Sequence, residues 1–256
     1  MPFRIVKCTT MNMTPPRINP ELDLTSLAAE FRRNGKIRIS NVLTEDFASQ
    51  VFTCMDNDVP WRVMYYNHKG KGPEVVGRIY PRQWAVMTEE QKQTLIDRVH
   101  EEARDNFHYL YNGYDVLDAR RKGQDPQLFL QTFLDFAGSD EYFNFIRQVS
   151  GDQVFNRVDC HAARYLPGHF LKEHVDSSPF EKRHMAYVFN FTRNWDADFG
   201  GLTHFLDDRH RVTDTFIPRF NSLTLFKVPV PHSVSAVTAF APNPRYSITG
   251  WFTRYN

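Results

Sequence analysis

Residues able to do metal chemistry are concentrated in the second half of the chain, between positions 165 and 252. His174 and Asp176 are separated by one residue, and a lone histidine, His232, follows much later. In a β-strand, residues i and i+2 point to the same face, so His174 and Asp176 can reach one metal ion together. With His232 from another strand they would form a set of two histidines and one carboxylate. Such a set leaves three coordination positions open, which suits non-haem Fe(II).

The His-x-Asp pair alone is weak evidence. In a chain with 10 histidines, such a pair is expected by chance in many proteins of this composition. A structural or surface pair is therefore the alternative to a metal site, and the surrounding sequence has to decide between them.

Arg245 and Ser247 form a second pair with strand spacing, on the last predicted strand. A buried guanidinium with a hydroxyl beside it can hold a carboxylate through two hydrogen bonds. The alternative is a surface arginine, but the following residues, Ile248 to Phe252, are largely apolar and favour an internal strand.

The other histidines of this half have simpler interpretations. We expect structural or exposed roles for His161, His169, His184, His204 and His210. Of these, His204 lies in a strand next to the expected site, and we expect it to be the one that could touch substrate.

The elements that must position these residues change character near residue 150. After Gly151, period-two patterns separated by Gly, Pro, Asn and Asp predict strands at 154–166, 184–192, 202–206, 211–217, 222–228, 234–239 and 246–255. Before it, helical periodicity dominates. The predicted fold class is α+β: a β-sandwich or jelly roll in residues 151–256, with a mainly helical support in residues 1–150 packed on one sheet.

Local signals define the helices of the first half. They include a helix over 23–33 that stops at Asn34-Gly35, a helix capped by Thr44, and a helix over about 140–149. Thr88 and Gln91 form a capping box that opens a helical face continuing to Phe107. Asp125-Pro126 predicts a further helix start, and we expect the phenylalanines of these helices to be core residues.

Residues 61–84 are strand-like and are interrupted by a glycine- and lysine-rich stretch. We expect the segment Tyr65–Arg78 to act as a lid, with Gly70 and Gly72 as pivots beside Lys69 and Lys71. An ordinary solvated hairpin is the alternative.

Composition places the chain in a broad class. The 256 residues suit a single domain, and 31 Lys+Arg against 30 Asp+Glu give no basic excess, so we expect no nucleic-acid partner. Three well-separated cysteines argue against a disulfide framework. Neither a signal peptide nor an 18-residue apolar run is evident, so we expect a cytoplasmic protein without membrane contact, as a monomer or homodimer.

Seven pieces of the second half, in order, resemble the Fe(II)- and 2-oxoglutarate-dependent dioxygenases, and within them the prolyl 4-hydroxylase type. They are Tyr165-x-x-Gly168, His174-Val175-Asp176, 189–195, Gly200-Gly201-Leu202, 221–226, His232-Ser233-Val234 and 245–252. The resemblance covers roughly residues 154–256 and implies a double-stranded β-helix of the jelly-roll, cupin-like kind.

The resemblance also implies roles for particular residues. His174, Asp176 and His232 would bind Fe(II), and Arg245 with Ser247 would bind the distal carboxylate of 2-oxoglutarate. Two further co-substrate contacts are expected. Tyr165 occupies a position where the family often has a co-substrate-binding tyrosine. Asn190 replaces a second tyrosine found in several relatives, and Tyr187 is a weak candidate to substitute for it. The segment Gly201-Leu202-Thr203 lacks the acidic residue that many relatives have after the Gly-Gly turn.

The implied reaction uses Fe(II), 2-oxoglutarate and O2, with ascorbate as a candidate reductant, to hydroxylate an unactivated C–H bond and release succinate and CO2. By resemblance, the expected substrate is a prolyl residue in a protein or peptide. Three alternatives stay open: a hydroxylase of a free amino acid or biosynthetic small molecule, a nucleic-acid demethylase, and a non-catalytic sensor that binds the metal and 2-oxoglutarate.

Overall fold

The structure, a computed structural model, describes residues 17–67, 75–178 and 181–254. In these ranges the chain forms thirteen strands, most of them in its second half. They are β1 (Lys36–Ser40), β2 (Arg62–Tyr66), β3 (Val76–Ile79), β4 (Tyr109–Asp115), β5 (Arg157–Val158), β6 (His161–Tyr165), β7 (Phe170–His174), β8 (Lys182–Asn190), β9 (Thr203–Leu206), β10 (Val212–Phe216), β11 (Ser222–Lys227), β12 (His232–Val234) and β13 (Arg245–Arg254).

Seven α-helices are found in the same ranges, all of them before residue 151, and a short 3-10 helix spans Ala197–Phe199. The α-helices are α1 (Leu24–Asn34), α2 (Glu45–Asn57), α3 (Pro81–Val86), α4 (Glu89–Glu102), α5 (Val116–Arg121), α6 (Phe129–Ala137) and α7 (Asp140–Ser150). None of them is both long and apolar enough to span a membrane.

Helix ends follow their sequence signals in two clear cases. The Asp23 carboxylate accepts hydrogen bonds from two backbone N–H groups at the start of α1, and Gly35 ends that helix with a left-handed φ of 66°. The predicted capping box of α4 is present, because Thr88 and Gln91 each accept the other's backbone N–H.

All thirteen strands belong to one sheet, and every pairing in it is antiparallel. The strand order is β1-β11-β8-β13-β6-β4-β7-β12-β9-β10, with β2 and β3 attached at β4 and β5 attached at β13. This extent of antiparallel pairing matches the predicted jelly-roll core.

The two ends of the sheet curl toward each other. Lys36 on β1 forms an ion pair of 2.8 Å with Asp214 on β10. Next to it, the Arg38 guanidinium lies 5.6 Å from the centroid of the Phe216 ring. These side-chain contacts between β1 and β10 nearly close the sheet into a barrel, and the interior of that barrel is where the site forms.

The helices cover the outer face of this sheet through aromatic rings. Phe133 of α6 is fully buried and packs against Phe47 of α2, with ring centroids 6.0 Å apart, and against Phe189 of β8 at 5.3 Å. Tyr142 of α7 lies 5.6 Å from Phe252 of β13. The phenylalanine-rich helices are core-packing elements, as predicted, and they support β8 and β13 from behind.

The first half of the chain supplies more of the sheet than the sequence indicated. Besides the predicted strands β2 and β3, it contributes β1 and β4. The strand β1 follows the α1 stop at once and pairs along its whole length with β11. The strand β4 lies between β2 on one edge and β6 and β7 on the other, so it joins the helical half to the barrel.

Two helix boundaries were predicted incorrectly. Asp125 does not cap a helix: it has φ 47°, its carboxylate accepts a hydrogen bond of 2.8 Å from the Tyr114 hydroxyl, and α6 starts later, at Phe129. The helix α4 ends at Glu102, so Phe107 is not on its face. Instead the Phe107 ring lies 6.0 Å from the His174 ring, at the candidate site.

The predicted strand 154–166 is two strands, β5 and β6. Between them the Asp159 carbonyl accepts a hydrogen bond of 2.5 Å from the Tyr187 hydroxyl, which interrupts the ladder. Of the predicted lid, Tyr65, Tyr66 and Val76–Arg78 form the paired ends of a β2–β3 hairpin. Its central part, residues 68–74, lies outside the described residues, so the lid stays a prediction.

Candidate active site

Three predicted ligands meet inside the barrel. His174 ends β7 and His232 begins β12, and the two histidines are direct partners in the register of these antiparallel strands. Their rings are 4.2 Å apart, centroid to centroid. Asp176 places one carboxylate oxygen 3.5 Å from His174 Nε2 and the other 3.4 Å from His232 Nε2. In the described part of the chain, these three residues are the group whose ligand atoms could hold a metal, all within 4.8 Å of one another.

The backbone fixes which nitrogen of each histidine faces the centre. His174 Nδ1 lies 3.0 Å from the Lys172 carbonyl oxygen, and His232 Nδ1 lies 2.9 Å from the Val230 carbonyl oxygen. A carbonyl oxygen can only accept, so Nδ1 carries the proton in both rings. Each Nε2 is then left with its lone pair toward Asp176, which is the tautomer a metal ligand requires.

The protonation states also suit a cation. Burial and the neighbouring His174 lower the pKa of His232, which keeps its imidazole neutral at pH 7. Burial alone would raise the pKa of Asp176, but the adjacent imidazoles of His174 and His232 hold that pKa below its ordinary value. The site thus presents two imidazole nitrogens and one carboxylate.

The expected reason for the His174–Asp176 pairing was incorrect. The strand β7 ends at His174, so Asp176 lies beyond it in irregular backbone and not on the same strand face. The Arg183 guanidinium donates a hydrogen bond of 3.3 Å to the Asp176 carbonyl oxygen and so helps to hold this turn.

Arg245 is a buried cation that has no carboxylate partner among the residues that the structure describes. Its exposed fraction is 2%, and burial lowers its pKa from the ordinary value, although an arginine stays charged at pH 7. It donates weak hydrogen bonds to two hydroxyls, those of Ser247 at 3.5 Å and Thr203 at 3.4 Å, while its Nε has no partner. Its guanidinium lies 4.8 Å from the centroid of the Tyr165 ring.

The Gly-Gly turn makes room for this arginine. Gly201 has φ 62°, and a Cβ there would lie 2.9 Å from Arg245 Cδ. Gly200 has φ 69°, and its Cβ would lie 2.0 Å from the Ala236 carbonyl oxygen. Only glycine fits both the conformation and the close approach at these positions.

One cavity of about 870 Å3 contains both features. Its wall includes the three candidate metal ligands, together with Arg245 and Ser247. Along β13, the residues on the cavity face alternate, as expected for a strand with one face toward the barrel interior. They are Arg245, Ser247, Thr249 and Trp251.

Of the remaining predicted residues, Tyr165 lies in the cavity wall and Tyr187 does not. Tyr187 is fully buried on the opposite face of β8, where it packs against Tyr142 and Phe252 and donates its hydroxyl hydrogen bond to Asp159. Strand alternation places position 187 toward the helices, so the structure does not bring it to the site. Asn190 lies on the same face of β8 as Val188, which lines the cavity, but Asn190 itself is not part of the cavity wall.

His204 also lies away from the cavity. Thr203 and Phe205 point inward, and His204 between them faces outward, with Nδ1 2.9 Å from the Thr215 hydroxyl. The structure therefore does not bring His204 to the cavity, because strand alternation that turns Thr203 inward turns His204 outward.

The cavity residues that sequence reasoning missed include Thr203, Tyr109 and Tyr111. The Tyr111 ring stacks on Tyr165 with centroids 5.3 Å apart, and Tyr109 follows at 5.5 Å from Tyr111. The spacing of Tyr109 and Tyr111 is itself a period-two signal that could have indicated β4.

The residues present fit a divalent cation and a dicarboxylate. Two imidazole nitrogens and one carboxylate form the donor set typical of non-haem iron sites with open positions. The unpartnered Nε of the buried Arg245 is the kind of group that a carboxylate would satisfy. His174, Asp176 and His232 would hold the metal, and Arg245, Ser247 and Thr203 would hold the distal carboxylate of 2-oxoglutarate.

Sequence comparison agrees with this geometry. Residues 160–253 match the family described as the 2OG-Fe(II) oxygenase superfamily. The chain is also 29% identical over 173 residues to the prolyl 3-hydroxylase OGFOD1 of Mus musculus. The matched region is 63% of this chain but only 31% of that relative, so the chain spans less than a third of its length.

Solved structures share the fold. A Trichoplax adhaerens prolyl hydroxylase, in complex with a peptide fragment from the oxygen degradation domain of hypoxia inducible factor, aligns with a TM-score of 0.59 and 16% identity, over 90% of this chain and 88% of that one. A 2OG-Fe(II) oxygenase family oxidoreductase from Burkholderia pseudomallei aligns with a TM-score of 0.60 and 15% identity, over 94% of both chains. Residues 160–253 are thus similar to the 2OG-Fe(II) oxygenase superfamily and the chain is similar to a prolyl 3-hydroxylase, and the shared fold, the converging ligands and Arg245 agree with that similarity.

Proposed function

We propose that the protein is an Fe(II)- and 2-oxoglutarate-dependent dioxygenase that hydroxylates a prolyl residue in a protein or peptide. The observation that carries the proposal is one cavity that holds both an open set of three metal ligands and a buried arginine lacking a carboxylate partner. Fe(II) bound there would supply the oxygen chemistry that couples 2-oxoglutarate decarboxylation to hydroxylation.

The chain's own residues would bind and orient the metal ion and the co-substrate. The carbonyls of Lys172 and Val230 keep both histidines in the ligating tautomer. Arg245 would anchor the distal carboxylate of the co-substrate with the help of Ser247 and Thr203, in a region from which water is largely excluded. Tyr165 would pack beside the co-substrate chain.

The prolyl substrate is inferred from the relatives. The mouse relative is named a prolyl 3-hydroxylase, and the Trichoplax protein is a prolyl hydroxylase seen with a peptide. The described cavity is wide enough for more than a small co-substrate, which fits a peptide segment. The sequence relative favours a prolyl substrate over the small-molecule, nucleic-acid and sensor alternatives. A sensor that had lost catalysis would also be expected to lack a metal ligand, whereas all three candidate ligands are present here.

Mass spectrometry of prolyl peptides tests this function. Protein incubated with Fe(II), 2-oxoglutarate and a library of proline-containing peptides should add one oxygen to a prolyl residue, with equimolar succinate. A matched library with alanine in place of proline is the control. Succinate release without oxygen on any proline, together with oxygen on a free amino acid, would contradict the prolyl assignment.

Three further properties stay predictions from the sequence. They are a cytoplasmic location, a monomeric or homodimeric state, and the use of ascorbate as a reductant.

A further inference from the structure

Two arginines line the cavity far from the co-substrate region. Arg78 on β3 lies opposite Met64 on β2, which lies opposite Tyr111 on β4. The Tyr111 ring stacks on Tyr165, the register partner of Arg245. A single row of residues thus connects Arg245 to Arg78 across five strands.

The second arginine sits in a parallel row. Arg62 on β2 lies opposite Gly113 on β4, which lies opposite Ala163 on β6, and Ala163 is the partner of Ser247. With strands about 4.8 Å apart, Arg62 is ~14 Å from Ser247 along the sheet, and Arg78 is ~19 Å from Arg245.

These separations exceed the length of the co-substrate. The two terminal carboxyl carbons of a five-carbon dicarboxylate are less than ~6 Å apart, since the four C–C bonds between them are each about 1.5 Å long. A co-substrate held by Arg245 would thus lie on strands removed from Arg62 and Arg78 along the sheet. These two arginines are left to contact the other occupant of the cavity, the substrate.

Neither arginine forms a close ion pair in the described part of the chain. Arg62 contacts the rings of Tyr80 and Tyr114, at 5.0 and 5.5 Å, and donates a long hydrogen bond of 3.5 Å to the Gln124 side chain. Arg78 is exposed, and no carboxylate among residues 17–67, 75–178 and 181–254 lies within ion-pairing distance of either guanidinium.

The nearby carboxylates are already engaged. Asp118 forms an ion pair of 2.8 Å with Lys122. Asp115 accepts the backbone N–H of Asp118 at the start of α5 and lies 3.6 Å from His161. The cavity mouth thus has two arginines that lack a carboxylate within ion-pairing distance in the described ranges, although both lie near enough to Asp118 to lower its pKa.

We infer that Arg62 and Arg78 form an acidic-residue subsite that recognises an aspartate or glutamate of the polypeptide substrate, on one side of the target proline. The inference rests on the proposed function for its reference point, the proline at the metal. A polypeptide is favoured over a nucleic acid because Asp115 and Asp118 line the same mouth and would repel a continuous row of phosphates.

The test uses short synthetic peptides with one central proline and otherwise uncharged residues. A single Asp is placed at each position in turn, and Asn or Lys at the same position gives matched peptides. Binding is measured by fluorescence anisotropy with the Fe(II)- and 2-oxoglutarate-loaded protein under anaerobic conditions, so that no turnover is needed. Succinate release in air is measured in parallel.

At the preferred position, the Asp peptide should bind about three- to tenfold more tightly than the Asn peptide, and less so at high salt. Arg78→Gln or Arg62→Gln should remove most of this difference. If Arg62→Gln does not fold because it loses the ring contacts of Arg62, Arg62→Lys is the second variant, since it keeps the positive charge. Arg78→Glu should shift the preference to the Lys peptide. Arg82→Gln, an exposed arginine outside the cavity, is the matched control and should change nothing.

Equal affinities for the Asp, Asn and Lys peptides, or an Asp preference that survives in both glutamine variants, would overturn the inference. So would tighter binding of a single-stranded RNA oligonucleotide than of any Asp peptide. These measurements distinguish a failure of the acidic-residue subsite from a failure of the proposed prolyl function. Anaerobic binding that depends on Arg62 and Arg78 without hydroxylation would contradict only the prolyl function, and hydroxylation without an Asp preference would contradict only the subsite.

Discussion

At the scale of single residues, the site depends on side chains whose surroundings would be unfavourable without a ligand. Arg245 is a buried charge with only two long hydrogen bonds to hydroxyls and one unpartnered nitrogen. Asp176 is buried between His174 and His232, with no hydrogen-bonded cation beside its carboxylate. Buried charges of this kind are costly unless they are paired, and a dicarboxylate and a metal ion would pair them.

Replacing Arg245 with alanine should weaken 2-oxoglutarate binding much more than metal binding. The change removes a charge-assisted contact worth about 1.5–3 kcal/mol, which corresponds to roughly 10- to 150-fold in affinity. The affinity of Arg245→Lys for 2-oxoglutarate should lie between those of the wild type and the alanine variant, because a lysine keeps the charge but loses the planar guanidinium fork. Isothermal titration with 2-oxoglutarate and, separately, with Mn2+ measures both affinities. A change of less than twofold for 2-oxoglutarate would mean that another cation binds it.

A buried histidine outside the site should make stability depend on pH. Burial, with smaller contributions from the charges of Arg164 and His100, lowers the pKa of His169 to about 4 from an ordinary value of 6.5. Between these two values the unfolded chain binds a proton that the folded chain does not, so the free energy of unfolding falls as the pH falls from 6.5 to 4. Above pH 7 His169 has no such effect.

The variant His169→Gln isolates this contribution. Its free energy of unfolding, measured by urea denaturation at several pH values, should lack the part of the slope that His169 causes. Relative to pH 7, the wild type should lose about 3 kcal/mol more than the variant by pH 4. Parallel pH profiles for the two proteins would show that His169 titrates normally.

At the scale of secondary-structure elements, the helices matter because they fix the strands that carry the site. The outward faces of β8 and β13 bury aromatic rings against α6 and α7, while their inward faces present the cavity residues. A strand held rigidly from behind keeps Arg245 and Ser247 in position.

Phe133→Ala should destabilise the whole protein. Phe133 is fully buried and contacts the rings of Phe47 and Phe189, so the truncation leaves a cavity that costs about 3–5 kcal/mol. The exposed Phe240, with 66% of its surface accessible, is the matched control, and its replacement with alanine should cost less than about 0.5 kcal/mol. Urea unfolding measures both, and similar losses in the two variants would contradict this account of the core.

Helices and strands could be predicted from the sequence where local capping and turn signals agree with the pattern of buried residues. Asp23 and Gly35 bound α1 as expected, and the period-two pattern identified most strands after residue 151. The pattern failed where a distant partner decides the structure. Asp125 has the sequence context of a helix N-cap. Its carboxylate instead accepts a hydrogen bond from the buried Tyr114 hydroxyl, eleven positions earlier in the chain. The strand β4 is held by its pairing with β2, β6 and β7. A short stretch of sequence does not indicate pairing with strands that lie far away in the chain.

At the scale of the whole molecule, the fold brings residues far apart in sequence to one cavity. His174 and His232 meet because β7 and β12 pair in register, and Arg62 reaches the same cavity through β2 and β4. The resemblance of the sequence to a known family pointed to the three candidate metal ligands, Arg245 and Ser247, which the structure brings to one cavity. It could not identify Thr203, Tyr109 or Tyr111, or exclude Tyr187, because these depend on which face of a strand lines the barrel.

The measurement that tests the central claim most directly is Fe(II)-dependent decarboxylation of 2-oxoglutarate by purified protein and its ligand variants. The wild-type protein should release succinate only when Fe(II) is added. His174→Ala and His232→Ala should each abolish this release, because two remaining ligands do not hold the metal in its open geometry. His204→Ala, a histidine on the outer face of β9, should retain it. Full succinate release in either ligand variant, or an equal loss in the His204 variant, would contradict the assignment of the site.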